Sequence, residues 1–468
     1  MRVAVVGCCQ GELDRIYDAV RRQRDRHGVV VELLICCGDF QAVRSHGDLE
    51  CLSCPPRRRQ LKDFHKYYTG EKQAPVTTIF VGGDHEAPEA LRELYFGGWV
   101  APRIYYMGYA GVLRVGPLRI AGLSGVFHPK SYFRGHFERP PYNEGALRTA
   151  SHVREWDVAR LERLAEPVDV VVSHDWPRGV WKHGNCEEML RLRPENGDLR
   201  RGMEESTLGS PASMDLLRKL RPAFWFSAHL HVKFAALVPH EDGTFTRFLA
   251  LDKSQPRRDF LQVLDIDPAS PSFLRTIPRP LADGGSWRRP PRQAAPVLGY
   301  DPEWLAVQKA NHAFVPLAWQ SQKAAVRAPT KEDVSWVVRR LREKAGALPR
   351  PRARRHPGLL PTRLRESGFR ELTTAQLREL FETRGMDFPG HLDKASLVRQ
   401  LEQHDEFFAA ERSAEGQAGG EVFPIPDNFE RSPDNLAKQR GAVLELLELE
   451  DLWKQQDAQL QELTEQGQ

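Results

Sequence analysis

The sequence predicts an α/β fold over residues 1–280, and three observations carry that prediction. Short runs of β-branched and aromatic residues recur, bounded by Gly, Asp or Pro, as buried strands are. Stretches with helical spacing lie between them. Five of the runs also end in residues that bind metals, and polar groups beyond the carboxyl ends of strands are where sheet enzymes gather their sites. Arg2 to Val6 leads into Gly7-Cys8-Cys9-Gln10, Val29 to Ile35 into Gly38-Asp39, and Val76 to Val81 into Gly82-Gly83-Asp84-His85-Glu86. Val168 to Val172 leads into Ser173-His174-Asp175, and Ala223 to Phe226 into Ser227-Ala228-His229-Leu230-His231.

Crossover helices are expected at Asp14 to Arg24 and at Pro88 to Leu94, the second opening on a proline suited to a first helical turn. Residues 126–148 read as a long functional loop, because they mix aromatic and basic side chains around Pro140-Pro141. A strand-turn-strand at Phe248 to Lys253 and Phe260 to Leu264 is expected to close the sheet. A Pro/Arg/Gly-rich linker follows at 281–299, then a helical segment at 300–348. Residues 349–370 form a basic tether, read equally as a solvated linker or as a nuclear-import or RNA-contacting patch. Residues 371–402 predict a helical pair: Thr373 and Gln376 make a capping box, Leu377, Leu380 and Phe381 one apolar face, and Leu397, Val398 and Leu401 a second. This unit resembles a SAP-type module, with docking on another protein as the competing reading. Residues 433–464 predict one long amphipathic helix for partner docking, with Leu446, Trp453 and Leu460 at heptad spacing.

At 468 residues the chain exceeds one core, and its net charge of +4 makes any nucleic-acid surface local. The seven cysteines are odd in number and mostly lie in apolar strands, which suits a reducing compartment. Cys51-Leu-Ser-Cys54 has no second pair and predicts no zinc knot. The first strand is too short for a signal-peptide core, and no apolar run nears the roughly 18 residues of a membrane span. The expectation is an intracellular protein with no membrane partner.

The Asp/His donor set suits a hydrolytic divalent metal, Fe2+, Mn2+ or Zn2+. Phosphodiester cleavage needs an electrophilic phosphorus, an activated water and a protonated leaving oxygen. Asp39 is the natural bridging ligand, and Asp84, His174 and His229 complete one site. His231 and Cys8 reach toward a second, with Gln10 as a weak donor. His85 is the candidate proton donor, while Glu86 and Asp175 are expected to orient histidines. Singly, each of these is more often a satisfied polar group or a cap. Together they would require five independent coincidences.

The order G-D, G-G-[ND]-H-E, H-D, x-H-x-H resembles the calcineurin-like metallophosphoesterases, which implies a β-sandwich flanked by helices with a smaller, mostly helical C-terminal region. Longer motifs narrow the resemblance: Gly38-Asp39-Phe40-Gln41-Ala42-Val43-Arg44, Gly135-His136-Phe137-Glu138, Ser173-His174-Asp175-Trp176-Pro177-Arg178, Leu208-Gly209-Ser210-Pro211, and Ser227 through Phe234. These are similar to the RNA lariat debranching enzymes over about residues 1–265, resuming at Tyr300-Asp301-Pro302-Glu303-Trp304-Leu305. The resemblance implies hydrolysis of the 2′-5′ phosphodiester at the branch of excised introns, within mRNA processing and RNA splicing in the nucleus. It makes 126–148 a lariat recognition loop. Lys130, Tyr132, Arg134, His136, Phe137 and Tyr142 would then meet RNA, with Tyr105 and Tyr106 near the branch nucleotides. Proteins of the spliceosome or intron-lariat complex are the implied partners of the C-terminal helices.

Two departures bear on activity. Gln10 stands where the family has His, and Asp84 where it has Asn. Both changes favour filling the Asp39/Asp84/His174/His229 site and weaken the second. The expected protein is an active debranching enzyme using mainly one metal. The alternative is a lariat-binding or spliceosome-associated relative with little turnover. A general phosphodiesterase for small substrates fits the long basic-aromatic loop less well.

Overall fold

The computed structural model describes residues 1–193, 197–266, 296–320 and 323–347, and further positions among 373–458 that include the helix Asn435–Leu447. Residues 1–280, 295–340 and 423–468 form one unit, and 281–294 with 341–422 a second. In the second unit positions 394–398 are helical, and Leu377, Leu397 and Val398 are buried, as the expected apolar faces require. The rest of the SAP-like module and the basic tether lie outside the described residues.

In the first unit the described strands form two mixed sheets. The first runs, in spatial order, β12 (Leu261–Asp265), β1 (Arg2–Val6), β2 (Leu33–Cys36), β3 (Thr77–Phe80), β5 (Ile104–Tyr106), β4 (Gly98–Ala101). The second runs β10 (Phe234–Pro239), β11 (Phe245–Ala250), β9 (Phe224–Ser227), β8 (Val170–Ser173), β7 (Leu118–Leu123), β6 (Ala110–Val115), β13 (Leu298–Tyr300). Side chains that alternate along each strand separate three cores. Val3 and Val5 of β1 share the inter-sheet core with Val170 and Val172 of β8 and with Phe224 and Phe226 of β9. Ala4 and Val6 face the other way, onto the helix Leu13–His27. Val171 and Trp225 likewise face the helix Pro211–Leu220 and Trp304. Burial on both faces is why these strands read as unbroken apolar runs.

Three expectations need correction. The two segments expected to close one sheet, now β11 and β12, belong to different sheets, so the connection between them bridges the sandwich. Leu298–Tyr300, divided between the expected linker and the start of the expected helical segment, is a strand on β6. The long C-terminal helix stops at Leu447, where Glu448 takes a left-handed φ of 55° and caps the final turn. That helix also packs on the first unit. Gln439 accepts from the Trp99 backbone N–H at 2.7 Å and donates to the Trp99 carbonyl at 2.8 Å, sealing the edge of β4. Leu436 joins the outer core and Arg440 pairs with Glu93. Among the described residues, no helix is long and apolar enough to cross a membrane.

Candidate metal centre and recognition loop

The loops after β1, β2, β3, β8 and β9 converge at one end of the sandwich. They bring Cys8, Asp39, Asp84, His85, His174 and His229 together, in three overlapping groups able to hold a metal ion. His174 is fully buried, and its Nδ1 lies 2.7 Å from the Cys37 carbonyl. That contact fixes Nδ1 as the donor and turns Nε2 inward, 3.0 Å from Asp84 Oδ1 and 3.5 Å from Asp39 Oδ1. His229 Nδ1 reaches the same Asp84 oxygen at 3.2 Å, and the His229 backbone N–H meets Cys8 Sγ at 3.3 Å. A Cβ on Gly38 would fall 2.1 Å from His174 Nδ1, and one on Gly83 would fall 2.3 Å from Asp39 Oδ1. Only glycine fits this cradle.

Backbone strain marks the same place. Gln10, Asp39, Gln41, His229 and His231 all hold φ between 47° and 64°, where non-glycine residues are uncommon. The electrostatics point the same way. Burial acts to lower the His174 pKa, but the Asp39 and Asp84 carboxylates hold it up at about 9. Burial works to raise Asp84, yet the two imidazoles keep it far below the usual carboxylate range. Burial and then Asp39 push the Cys8 thiol well up. Carboxylate oxygens and imidazole nitrogens converging on one buried point make a donor set that a divalent ion fits.

Sequence comparison agrees with the geometry. The profile described as calcineurin-like phosphoesterase matches residues 1–233, and the one described as lariat debranching enzyme, C-terminal domain, matches 243–362. The chain is 50% identical over 316 residues to the lariat debranching enzyme of Danio rerio, covering 66% of this chain and 51% of that one. It is 47% identical over 323 residues to that of Homo sapiens, covering 67% and 54%. With that of Arabidopsis thaliana it is 43% identical over 345 residues, covering 74% of this chain and 76% of the relative. The chain belongs to the lariat debranching enzyme family. It spans about half the length of the Danio and human relatives.

Within that family frame, His85 donates through Nδ1 to the Ser53 carbonyl at 2.7 Å, and its Nε2 lies 3.7 Å from Asp84 Oδ2 at the edge of the cluster. His231 joins none of the three groups, and burial together with Lys253 lowers its pKa to about 4. Its carbonyl is held by Arg193, which also pairs with Asp252. Gln10 is tied through its backbone N–H to the Asp39 carbonyl at 2.6 Å. Glu86 and Asp175 do not orient histidines. Glu86 accepts from the backbone N–H groups of Phe40, Gln41 and Gly83 at 2.7, 2.8 and 3.0 Å, which shapes the Asp39 loop instead. Asp175 accepts from the N–H groups of Trp176 and Phe127, fixing the start of the 126–148 segment.

The segment 126–148 is more ordered than its composition suggests. Helical turns occupy Pro129–Tyr132 and Glu144–Thr149, the latter capped by Asn143, which accepts from the Ala146 N–H at 2.8 Å. Lys130 is exposed, and Tyr132, Arg134, Phe137 and Tyr142 are half-buried. His136 is not available to RNA: it is 6% exposed, bonds Asp157 at 2.8 Å and stacks on Tyr109 at 4.1 Å. Tyr105 and Tyr106 also fail as base-stacking residues. They lie on β5, an interior strand, so Tyr105 packs against Trp99 between the sheets and Tyr106 against Phe80 outside. Sequence reasoning missed Arg154, wholly buried and paired with Glu138 at 2.5 Å, and Asp157, which also binds Arg160 at 2.7 Å. The mixed-charge spacing of Glu138, Arg154, Asp157 and Arg160 was the only available signal.

The loop is also stitched to the C-terminal segment. Gly135 N–H donates to the Ala318 carbonyl and His136 N–H to the Pro316 carbonyl, both at 2.9 Å. A Cβ on Gly135 would meet the Pro316 oxygen at 2.4 Å. Gly135→Ala is therefore expected to break this pairing and cost about 1–3 kcal/mol. Urea unfolding measures the loss, and unaltered stability would refute it.

Proposed function

We propose that this chain hydrolyses the 2′-5′ phosphodiester at the branch point of excised intron RNA. The observation that carries the reading is His85 beside the Asp39/Asp84/His174/His229 cluster, in a chain of this family. A divalent ion, when bound there, supplies Lewis-acid activation of the phosphate and of a water. Asp39, Asp84, His174 and His229 are the residues that hold it.

The proton step follows from the His85 tether. With Nδ1 donating to the Ser53 carbonyl, the acid form carries its second proton on Nε2, the nitrogen facing the cluster. Delivering that proton to the leaving oxygen returns a neutral ring whose Nδ1–H bond is undisturbed. Burial disfavours the charged ring, but Asp39 and Asp84 raise its pKa and favour the acid form. Lys130 and Arg134 supply positive charge along the loop for the RNA backbone, and Phe137 and Tyr142 supply rings.

The deciding experiment supplies metal-stripped protein with Fe2+, Mn2+ or Zn2+ and a synthetic branched RNA. Metal-dependent release of linear RNA is the expected result. Tight branch-specific binding without cleavage would sink this reading in favour of a lariat-binding relative. Because Gln10 and Asp84 weaken the second site, metal analysis is expected to find about one ion per chain. A count near two would refute the one-ion reading; Gln10→His is expected to raise the count, and no change there would refute the role given to Gln10. We place the activity in the nucleus, where intron lariats arise. Docking on intron-lariat proteins through the C-terminal helices is part of the same reading.

A further inference from the structure

Trp319 lies outside the recognition loop in sequence yet sits on it in space. It is 55% exposed, and the Arg134 guanidinium carbon stands 3.5 Å from the centre of its ring. Phe137 meets it edge-on at 4.9 Å, and Phe133, next to Arg134, is 48% exposed and braced by Tyr132 at 5.0 Å. Single exposed apolar residues are ordinary. Here, one exposed ring carries a stacked guanidinium and a second belongs to the neighbouring residue, and the segment bearing Trp319 is fixed by the two backbone bonds to Gly135 and His136. The ordering of the indole is therefore met by folding and not by ligand binding.

We propose that Trp319 forms, with Arg134 and Phe133, a stacking platform for an unpaired nucleobase of the RNA strand beyond the branch. The inference rests on the reading of the chain as an RNA-processing enzyme. The ligand class follows from the chemistry. A planar ring offers its face to a base of any sequence, while the guanidinium edge offers several N–H donors and a fixed charge to a neighbouring phosphate. An acidic peptide would satisfy the charge and leave both rings unused. Lys130 on the same loop extends the positive surface.

The test measures equilibrium binding of a fluorescently labelled branched RNA, and of a linear single strand of the same sequence, to the full-length chain in chelator. Turnover is thereby suppressed. Trp319→Ala is expected to weaken binding of both RNAs on the order of 10-fold, with Trp319→Phe restoring most of it. Wild-type affinity in a folded Trp319→Ala overturns the proposal. So does equal weakening by Ala and Phe with a lowered unfolding midpoint, which would mark a bracing role only, and so does competition by an acidic peptide but not by RNA. A chain that binds RNA through Trp319 yet never cleaves a branch would refute the debranching reading alone. Branch cleavage with RNA affinity indifferent to Trp319 would refute the platform alone.

Discussion

Replacing His85 with Ala is expected to lower the rate of branch cleavage by about 10²–10⁴-fold, the usual contribution of a positioned general acid. The expectation rests on where the ring is held. Its Nδ1 bond to Ser53 and the 3.7 Å approach of Nε2 to Asp84 place one nitrogen at the cluster's edge and leave the other unable to substitute. His85 also falls within one of the potential metal groups, with Asp39 and Asp84, so a rate loss alone would be ambiguous. Metal content measured on the same sample resolves this: undiminished content with the rate loss assigns proton delivery, and loss of the ion assigns ligation. A second discriminator is the leaving group. A substrate whose leaving oxygen needs no proton should be cleaved almost normally by His85→Ala if the ring is an acid. Equal losses on both substrates would remove His85 from that role.

The metal centre was legible in the sequence for a physical reason. The strands that carry it are buried on both faces, so each reads as an apolar run, and the change to Gly, Asp and His at its end is abrupt. Val3 and Ala4 face different cores, yet both must be apolar. What a run cannot show is its neighbour in the sheet. Tyr105 and Tyr106 look like free aromatic residues until β5 is placed between β3 and β4, where both faces are covered. His136 posed the same problem, because its partner Asp157 lies 21 residues away on a separate helix. The end of the C-terminal helix was hidden for another reason. No glycine or proline marks Glu448, and the helix before it packs onto β4 and the helix Pro88–Glu93, partners that the local sequence does not name.

The largest expected effect on stability comes from Asp301. Arg119, 2% exposed on β7, donates to both Asp301 oxygens at 2.8 Å and to Glu303 at 2.8 Å. Arg114 adds a bond at 2.7 Å, and Asp301 also caps the helix Pro302–Asn311 by accepting from the Trp304 N–H at 2.9 Å. Asp301 thus shares a buried guanidinium with Glu303 and starts the helix that places Trp304 in the core. Asp301→Ala is expected to cost about 1.5–3 kcal/mol for the lost charge-assisted bonds, since Glu303 still faces Arg119, with the lost cap adding roughly 1. Against a typical total of about 5–15 kcal/mol, that is a large share. Burial works to raise the Asp301 pKa, but the two guanidiniums hold it below its ordinary value. A depressed carboxylate contributes stability that is present above about pH 3.9 and lost as the pH falls through its folded value. The wild-type chain should therefore lose this increment in acid, while Asp301→Ala should show a flatter acid limb. The decisive variant removes all three charges of the cluster. If the cost of Asp301→Ala is that of an under-compensated buried cation, then Arg119→Met with Asp301→Leu and Glu303→Gln should recover most of that part, because no buried ion is left without its partner. A triple variant as unstable as the single one would show that the pairing geometry, and not charge burial, holds the C-terminal segment to β7.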